Sequence, residues 1–498
     1  MREADRSEGG ETARLQATDD YAVRAPLTCL HASGGRNTPA PVECVGVNRG
    51  LTDYWRAFRS FSPGARLYLW HTMLGSVAWS MVALLLNLYL YSLGYRQDFM
   101  GLVNALPAAV TMVLGLPVGS LADRYGYRIF LLVGATLTAA AGIGVALATT
   151  RSALLAWAAL SGVGGTLTWV IGTPYLASQS DEANRMELLS VNFALMTAAG
   201  FVGSLLAGQI PQRFAAVLAT DPMATGPLRA GMLAAGLLSA LAVVPLLRLP
   251  PESSAGKGAT ATPSGVARPG WVLDRHEVGL FARILLPAAL IGFGAGVMVT
   301  FFQIFFRLRF GLEPGQIGVI FAFTSIFNAI ASLVTPLMAR RIGKVRTVVA
   351  TQLASIPFLL MLTFSYDLRW ATIAYYARSA LMNMGGPVSM AFALELVAPH
   401  RRAILSSLET MLGSLGRGGL GPLVSGFLQV RGGFEPAFTL TTLCYVAATG
   451  LFWWFFKDAE RPQSLTTAMA STSKAAPRGK AATSTVERAG AGSEKNSA

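Results

Sequence analysis

Charge is what this sequence has least of. Asp, Glu, Lys and Arg make up 13% of its 498 residues, about half of the roughly 25% usual for soluble globular chains. That is too little to cover a water-facing surface, and a 53% share of hydrophobic residues excludes disorder of the whole chain. Cysteine is scarce as well: Cys29, Cys44 and Cys444 make no disulfide framework. The four histidines, His31, His71, His276 and His400, are scattered. There is no H-E-x-x-H pair, no phosphate loop and no nucleophile set beside a base, so nothing points to an enzyme, a metal or a cofactor. The net charge of +14 does not point to nucleic acid either, because the basic residues fall in short runs between apolar stretches and in the tails. The composition is that of an integral multi-pass membrane protein, with the lipid bilayer as its solvent.

What is present in abundance is apolar runs of about 20 residues, each long enough to cross ~30 Å of hydrocarbon as helix. The expected spans are 68–93, 99–122, 127–149, 152–178, 186–212 and 228–248, then 281–308, 314–338, 345–365, 368–397, 403–430 and 434–456. These make two sets of six. The organisation expected is a disordered tail at 1–65, a six-helix bundle at 66–248, a polar linker at 249–280, a second bundle at 281–457 and a disordered tail at 458–498. The first tail has no apolar core of the kind a cleaved signal peptide needs. Arg124, Arg128, Arg340, Arg341, Lys344, Arg346, Arg401 and Arg402 gather on one side of the expected helices. Basic loops stay in the cytoplasm, which predicts cytoplasmic termini and linker in the cell membrane.

After the second span the chain reads Gly119-Ser-Leu-Ala-Asp123-Arg124-Tyr-Gly126-Tyr-Arg128. This resembles the G-x-x-x-D-R-x-G-R-K signature of the major facilitator superfamily, departing from it at Tyr127. An echo follows the eighth span as Pro336-Leu-Met-Ala-Arg340-Arg341-Ile-Gly343-Lys344. Gly126 and Gly343 are 217 positions apart, as are Arg185 and Arg402, the mark of an internal repeat. The resemblance implies an all-α membrane protein of twelve transmembrane helices in two six-helix pseudo-symmetric bundles. It also implies a secondary active transporter of a small-molecule substrate, working by alternating access. Gly119, Asp123, Arg124, Gly126 and Arg128 are then expected to form a conformational latch, with Asp123 meeting the start of helix 11 around Arg402–Ser406. Gly126 permits a tight turn and Gly119 a close helix approach. The bland alternative is a capped turn with solvated arginines.

Charge inside a bilayer costs ~2.5–3.5 kcal/mol per residue at a helix centre, so each instance needs a reason. Arg378, Glu409 and Arg417 are the charges well inside the expected spans, joined by the neutral polar Gln303, Asn328 and Asn383 in the second half and Asn87 and Asn104 in the first. All of the first six are substrate or coupling candidates. Arg378 and Arg417 either bind an anionic solute, since guanidinium forks suit carboxylate and phosphate, or pair with Glu395, Glu409 or backbone carbonyls. Glu409 either carries a coupling proton or neutralises Arg417. Trp169, Tyr175, Phe301, Phe302, Phe305, Tyr375 and Tyr376 either line an aromatic cavity or pack and face lipid. Glycines crowd helices 4 and 11 for close packing or hinge bending.

Three functions stand in order. The first is transport of a small organic solute, leaning to an anion. The second is proton-coupled export of amphipathic drugs or metabolites; the arginine of helix 4 and the Gly-Pro motif of helix 5 usual in such antiporters are absent. The third is a receptor or sensor on a transporter fold. One chain supplies both halves, so a monomer is expected.

Overall fold

The computed structural model describes residues 61–180, 184–250, 275–398 and 401–459. Most of both expected tails and of the linker, with Cys29 and Cys44, lies outside them. Among the described residues stand twelve helical rods. The first six are α1 (Pro63–Ser92), α2 (Gln97–Tyr125), α3 (Tyr127–Leu147), α4 (Arg151–Ser178), α5 (Arg185–Leu218) and α6 (Thr225–Leu247). Next come α7 in two segments (Arg275–Val299 and Phe302–Phe310), α8 (Pro314–Ile342), α9 (Lys344–Phe364) and α10 (Leu368–Leu396). α11 runs in three segments (Arg402–Gly413, Ser414–Leu420 and Gly421–Gly432), and α12 covers Phe434–Phe456. Ten of the rods are long and apolar enough to cross a membrane. The other two are α10, diluted by Arg378, Asn383 and small residues, and the broken α11.

Local chemistry sets ends that hydropathy misses. α1 starts at Pro63, five residues ahead of the expected 68, because Ser62 Oγ accepts the Ala65 N–H at 3.1 Å and proline occupies the first helical position. α7 starts at Arg275, ahead of the expected 281.

The repeat is carried into the backbone. α2 and α8 begin at 97 and 314 and end at 125 and 342, and α3 and α9 begin at 127 and 344 and end at 147 and 364, each a separation of 217. The turns between them are built alike: Gly126 has φ 93° and ψ 149°, Gly343 φ 90° and ψ 160°, a conformation strained for any residue with a Cβ. α1 packs on α5 and α6 as α7 packs on α11 and α12, and α3 on α4 as α9 on α10.

The halves meet along two helix pairs, α5 with α8 and α2 with α11. Both contacts are glycine-mediated. A Cβ on Gly208 would lie 2.7 Å from the Pro314 carbonyl oxygen, and one on Gly426 would overlap the Gln97 carbonyl. Gln97 and Pro314 are 217 apart, but Gly208 and Gly426 are 426 − 208 = 218 apart. The extra residue is absorbed by Ser414–Leu420, a π-helical stretch, and one added residue is what such a bulge inserts.

The apolar core has a matching layout. One cluster draws on both halves, with Leu84, Leu88, Met100 and Ala207 joined to Phe301, Phe305, Ile317 and Phe438. A second cluster is confined to the N-terminal half (Phe61, Tyr68, Ala122, Leu131, Tyr175, Leu246) and a third to the C-terminal half (Phe281, Val345, Phe392, Leu405, Phe452). The shared cluster lies toward the α1–α2 and α7–α8 connections, and the separate ones toward Gly126 and Gly343. The halves are thus joined at one end and parted at the other, leaving a cleft that opens at the end bearing the two glycine turns.

Candidate functional site

At the joined end α7 breaks between Val299 and Phe302, which frees the Thr300 carbonyl. Asn87 of α1 donates to that oxygen across the halves at 2.6 Å, and Gln303 donates to it at 3.0 Å and to Ala83 O at 3.3 Å. Asn104 of α2 donates to Asn87 Oδ1 at 2.7 Å. Asn87 and Gln303 are buried. Buried amides need partners, and here the partners lie on opposite halves, so Gln303 belongs to an inter-half clasp and not to the cleft wall.

Arg378 lies in the interior of the C-terminal half, 4% exposed. It donates from Nη2 to the Tyr445 hydroxyl and packs over the rings of Tyr445 and Phe302, at 5.5 and 5.7 Å to the centroids. Its Nε is buried without an acceptor. Arg417, in the π segment, is exposed, yet it stands within electrostatic range of Tyr445 and Arg378. A Cβ on Gly296 of α7 would come within 2.5 Å of the Arg417 carbonyl oxygen, so no bulkier residue allows this approach of α7 and α11.

Neither arginine has a carboxylate partner among the described residues. Glu395 pairs instead with Lys344, and Arg401 with Glu277 at 3.0 Å. Glu409 is half-buried with Oε2 buried and unbonded. The alternative in which Glu409 or Glu395 neutralises Arg417 therefore finds no ion pair among the described residues: Glu395 goes to Lys344, and Glu409 Oε2 has no partner. Asn383 donates to Asn328 Oδ1 at 3.3 Å between α10 and α8, with Asn383 exposed. The structure thus brings Arg378 and Arg417 together with Tyr445, a residue that sequence reasoning passed over. A tyrosine in an apolar span carries no signal by itself.

Of the two readings of the aromatic residues, packing and surface exposure describe them better than a cavity. Phe301, Phe302 and Phe305 are fully buried, Tyr175 and Tyr375 are buried, and Trp169 is exposed; these rings build core and surface. In the signature loop, Asp123 occupies the last turn of α2, Arg124 lies over the Tyr125 ring at 5.5 Å, and Arg128 Nη2 donates to Leu247 O at 3.3 Å. The first segment of α11 makes its main contacts with α7. Gly119 does not serve a close approach in this conformation: a Cβ there would meet only Val170 Cγ1, at 4.0 Å.

Comparison with known proteins agrees with this architecture. Nucleoside transporter NupG is similar at 15% identity with a TM-score of 0.63, over 80% of this chain and 99% of its own. A bacterial homologue of the human lysosomal transporter Spinster, in an inward-facing and occupied conformation, matches at 14% identity and a TM-score of 0.62, over 78% and 95%. The human organic anion transporter MFSD10 (TETRAN) matches at 17% identity and a TM-score of 0.53, over 78% and 99%. No curated protein matches the chain significantly in sequence. The family model of the Major Facilitator Superfamily matches residues 70–418 and again 284–488. With twelve rods in two equivalent sets, a signature turn and its echo, and a family match across most of its length, the chain belongs to the Major Facilitator Superfamily and is a non-enzymatic secondary transporter.

Proposed function

We propose that the chain moves a small organic anion by alternating access, with Arg378 and Arg417 as its binding pair. One observation carries this reading: two arginines of the C-terminal half, Arg378 buried on Tyr445 and Arg417 in the π segment of α11, lie within membrane-spanning rods with no carboxylate partner among the described residues. Uncompensated charge is costly there, and an incoming carboxylate or phosphate would supply the missing partner. The exposed Arg417 makes first contact, and Arg378, held by Tyr445, is the fixed element. Asn328 and Asn383 supply further polar contacts.

The cleft end carries Arg124, Arg128, Arg340, Arg341, Lys344, Arg346, Arg401 and Arg402. The basic bias sets this end in the cytoplasm of the cell membrane, with both termini, and makes the conformation inward-open. Gly119, Asp123, Arg124, Gly126 and Arg128 then latch the cleft end in the outward-facing state, when α2 approaches the start of α11. A monomer suffices, because one chain supplies both halves.

A second reading, proton-coupled export of amphipathic compounds, is supported by Glu409, a carboxylate inside α11 whose Oε2 has no donor. Ligand-induced thermal stabilisation decides between the two, because a ligand bound only by the folded state raises the melting midpoint. Organic anions should stabilise wild type and lose that effect in Arg378→Ala and Arg417→Ala. Stabilisation by lipophilic cations, equal in wild type and both variants, would sink the anion reading.

A further inference from the structure

α8 and α10 pack side by side, and four of their residues form a polar and aromatic strip. Asn383 donates from Nδ2 to the Ser379 carbonyl at 2.8 Å and to Asn328 Oδ1 at 3.3 Å. The Ser379 carbonyl accepts only from the amide nitrogen, so this bond fixes the orientation of both amides. Asn383 Oδ1 and Asn328 Nδ2 are left without a partner among the described residues. Asn383 is exposed, and Asn328 Nδ2 keeps access to solvent. Pro387, one turn on, lacks the N–H that would bond the Asn383 carbonyl in a regular helix, which adds a second acceptor. A Cβ on the neighbouring Gly386 would meet nothing within 4 Å, so the strip opens onto free space. Toward the joined end it continues as Phe327 and Tyr376, stacked at 4.9 Å between centroids and 30° between planes, with Phe327 40% exposed. Unpaired amides turned to hydrocarbon are costly, so the strip faces the cleft.

The N-terminal half shows a purely structural bond at the same place. At the offset of 217 stand Thr111 and Thr166, whose hydroxyls meet at 2.8 Å and bond the Pro107 and Gly162 carbonyls of their own helices. Thr166 is 1% exposed, and Val110 and Ala159 stand in place of the two rings. One half closes this helix contact with its hydroxyls used. The other leaves a donor, an acceptor and an aromatic face open.

A donor beside an acceptor matches the edge of a cyclic amide, whose C=O and N–H lie side by side in the ring plane. An exposed aromatic side chain next to it matches the ring face. We propose that the strip seats a planar heterocycle with an amide edge, carried by the transported anion; the charge of that solute rests on the reading of Arg378 and Arg417 given above. Asn328 Nδ2 donates to the ring carbonyl, Asn383 Oδ1 accepts the ring N–H, and Phe327 packs against the ring.

Thermal-shift titration of the full chain with orotate, benzoate, uracil and lactate tests it. Orotate has the ring, the amide edge and a carboxylate on the opposite side; benzoate lacks the edge, uracil the charge and lactate the ring. Wild type should bind orotate roughly tenfold or more tighter than benzoate or lactate, because those two leave the asparagines unpaired. Asn328→Thr combined with Asn383→Thr, which installs the pair of the N-terminal half, should bring orotate down to the level of benzoate. Benzoate binding and the melting midpoint without ligand should stay unchanged. Phe327→Leu should weaken orotate and benzoate alike, by about threefold. Orotate no tighter than benzoate, or unaffected by the double change, overturns the ring seat; the anion reading survives that result if Arg417→Gly still weakens benzoate. Uracil as tight as orotate, with Arg417→Gly inert toward both, sinks the anion reading and leaves the ring seat standing. No shift with either orotate or uracil overturns the ring seat. Should the double variant fail to fold, the ratio of orotate to benzoate in wild type and the response of Phe327→Leu decide.

Discussion

At the offset of 217 positions, Ser161, Asn192 and Gly200 of the N-terminal half stand where Arg378, Glu409 and Arg417 stand in the C-terminal half. The two bundles share helix bounds, turn geometry and packing partners, so the scaffold does not distinguish them. The difference lies in the polar groups set into it. α5 runs unbroken from Arg185 to Leu218, whereas its counterpart α11 is interrupted at Ser414–Leu420. The interruption carries Arg417. π-bulges collect at functional sites, and here the irregular helix and the interior charges fall in the same half. On the proposed reading, a symmetric frame supplies the rocking motion and one side of it the binding groups.

Making the C-terminal half resemble its partner should break the contrast in steps. Arg378→Ser, which installs the Ser161 equivalent, should have the largest effect. It removes one anion contact and leaves the buried Tyr445 hydroxyl without its partner, a loss of about 1–3 kcal/mol of stability. Both the melting midpoint and its shift with organic anions should fall. Arg417→Gly, which installs the Gly200 equivalent, should cost a charge-assisted contact of about 1.5–3 kcal/mol in binding while the melting midpoint without ligand stays put. Isothermal titration with an anion identified by the thermal screen reads this directly; unchanged affinity would assign the arginine a structural role.

The two ends of the molecule form the second contrast, one joined and one parted. Gly426→Val should wedge α11 from the Gln97 carbonyl of α2 and destabilise the joined end by about 1–3 kcal/mol, the usual range for overpacking. Cysteines placed along α2 and α11 near the joined end should then react faster with a membrane-impermeant thiol reagent, and those at the cleft end more slowly. Asn104→Ala should act in the same direction and more weakly, by about 1 kcal/mol, because Asn87 keeps its bond to Thr300 O after losing the one from Asn104. A pattern of labelling that ignores both changes would remove the clasp from the account of gating.

Much of this frame was legible beforehand. Runs of some 20 apolar residues gave the rods, and the spacing of Gly126 and Gly343 gave the repeat, because both are one-dimensional signals. The joined and parted ends were not, since the contacts that decide them pair residues more than 100 positions apart, such as Gly208 with Pro314 and Gly426 with Gln97. The α7 break at Thr300–Phe301 has no proline or glycine to announce it. Three amides in otherwise apolar spans, Asn87, Asn104 and Gln303, were its only trace. Arg378 and Arg417 were recognisable as interior charges, but a helix position does not reveal which neighbour a long side chain will choose. Arg378 chose a phenol on α12 and not an acid.

The extra residue in α11 has one more consequence. A helix holding one residue beyond what its ends require can lose one and still connect them. Deleting Gly418 should leave a folded transporter whose α11 runs as a continuous α-helix, with the residues on either side keeping the faces they now present, where a deletion from a regular helix would turn one flank by about 100° relative to the other. The same deletion in α5, at Gly200, removes a residue that nothing held in reserve and should throw Gly208 off Pro314. One copy of the repeat thus holds a residue that the other does without, and the loss of a single codon would remove it.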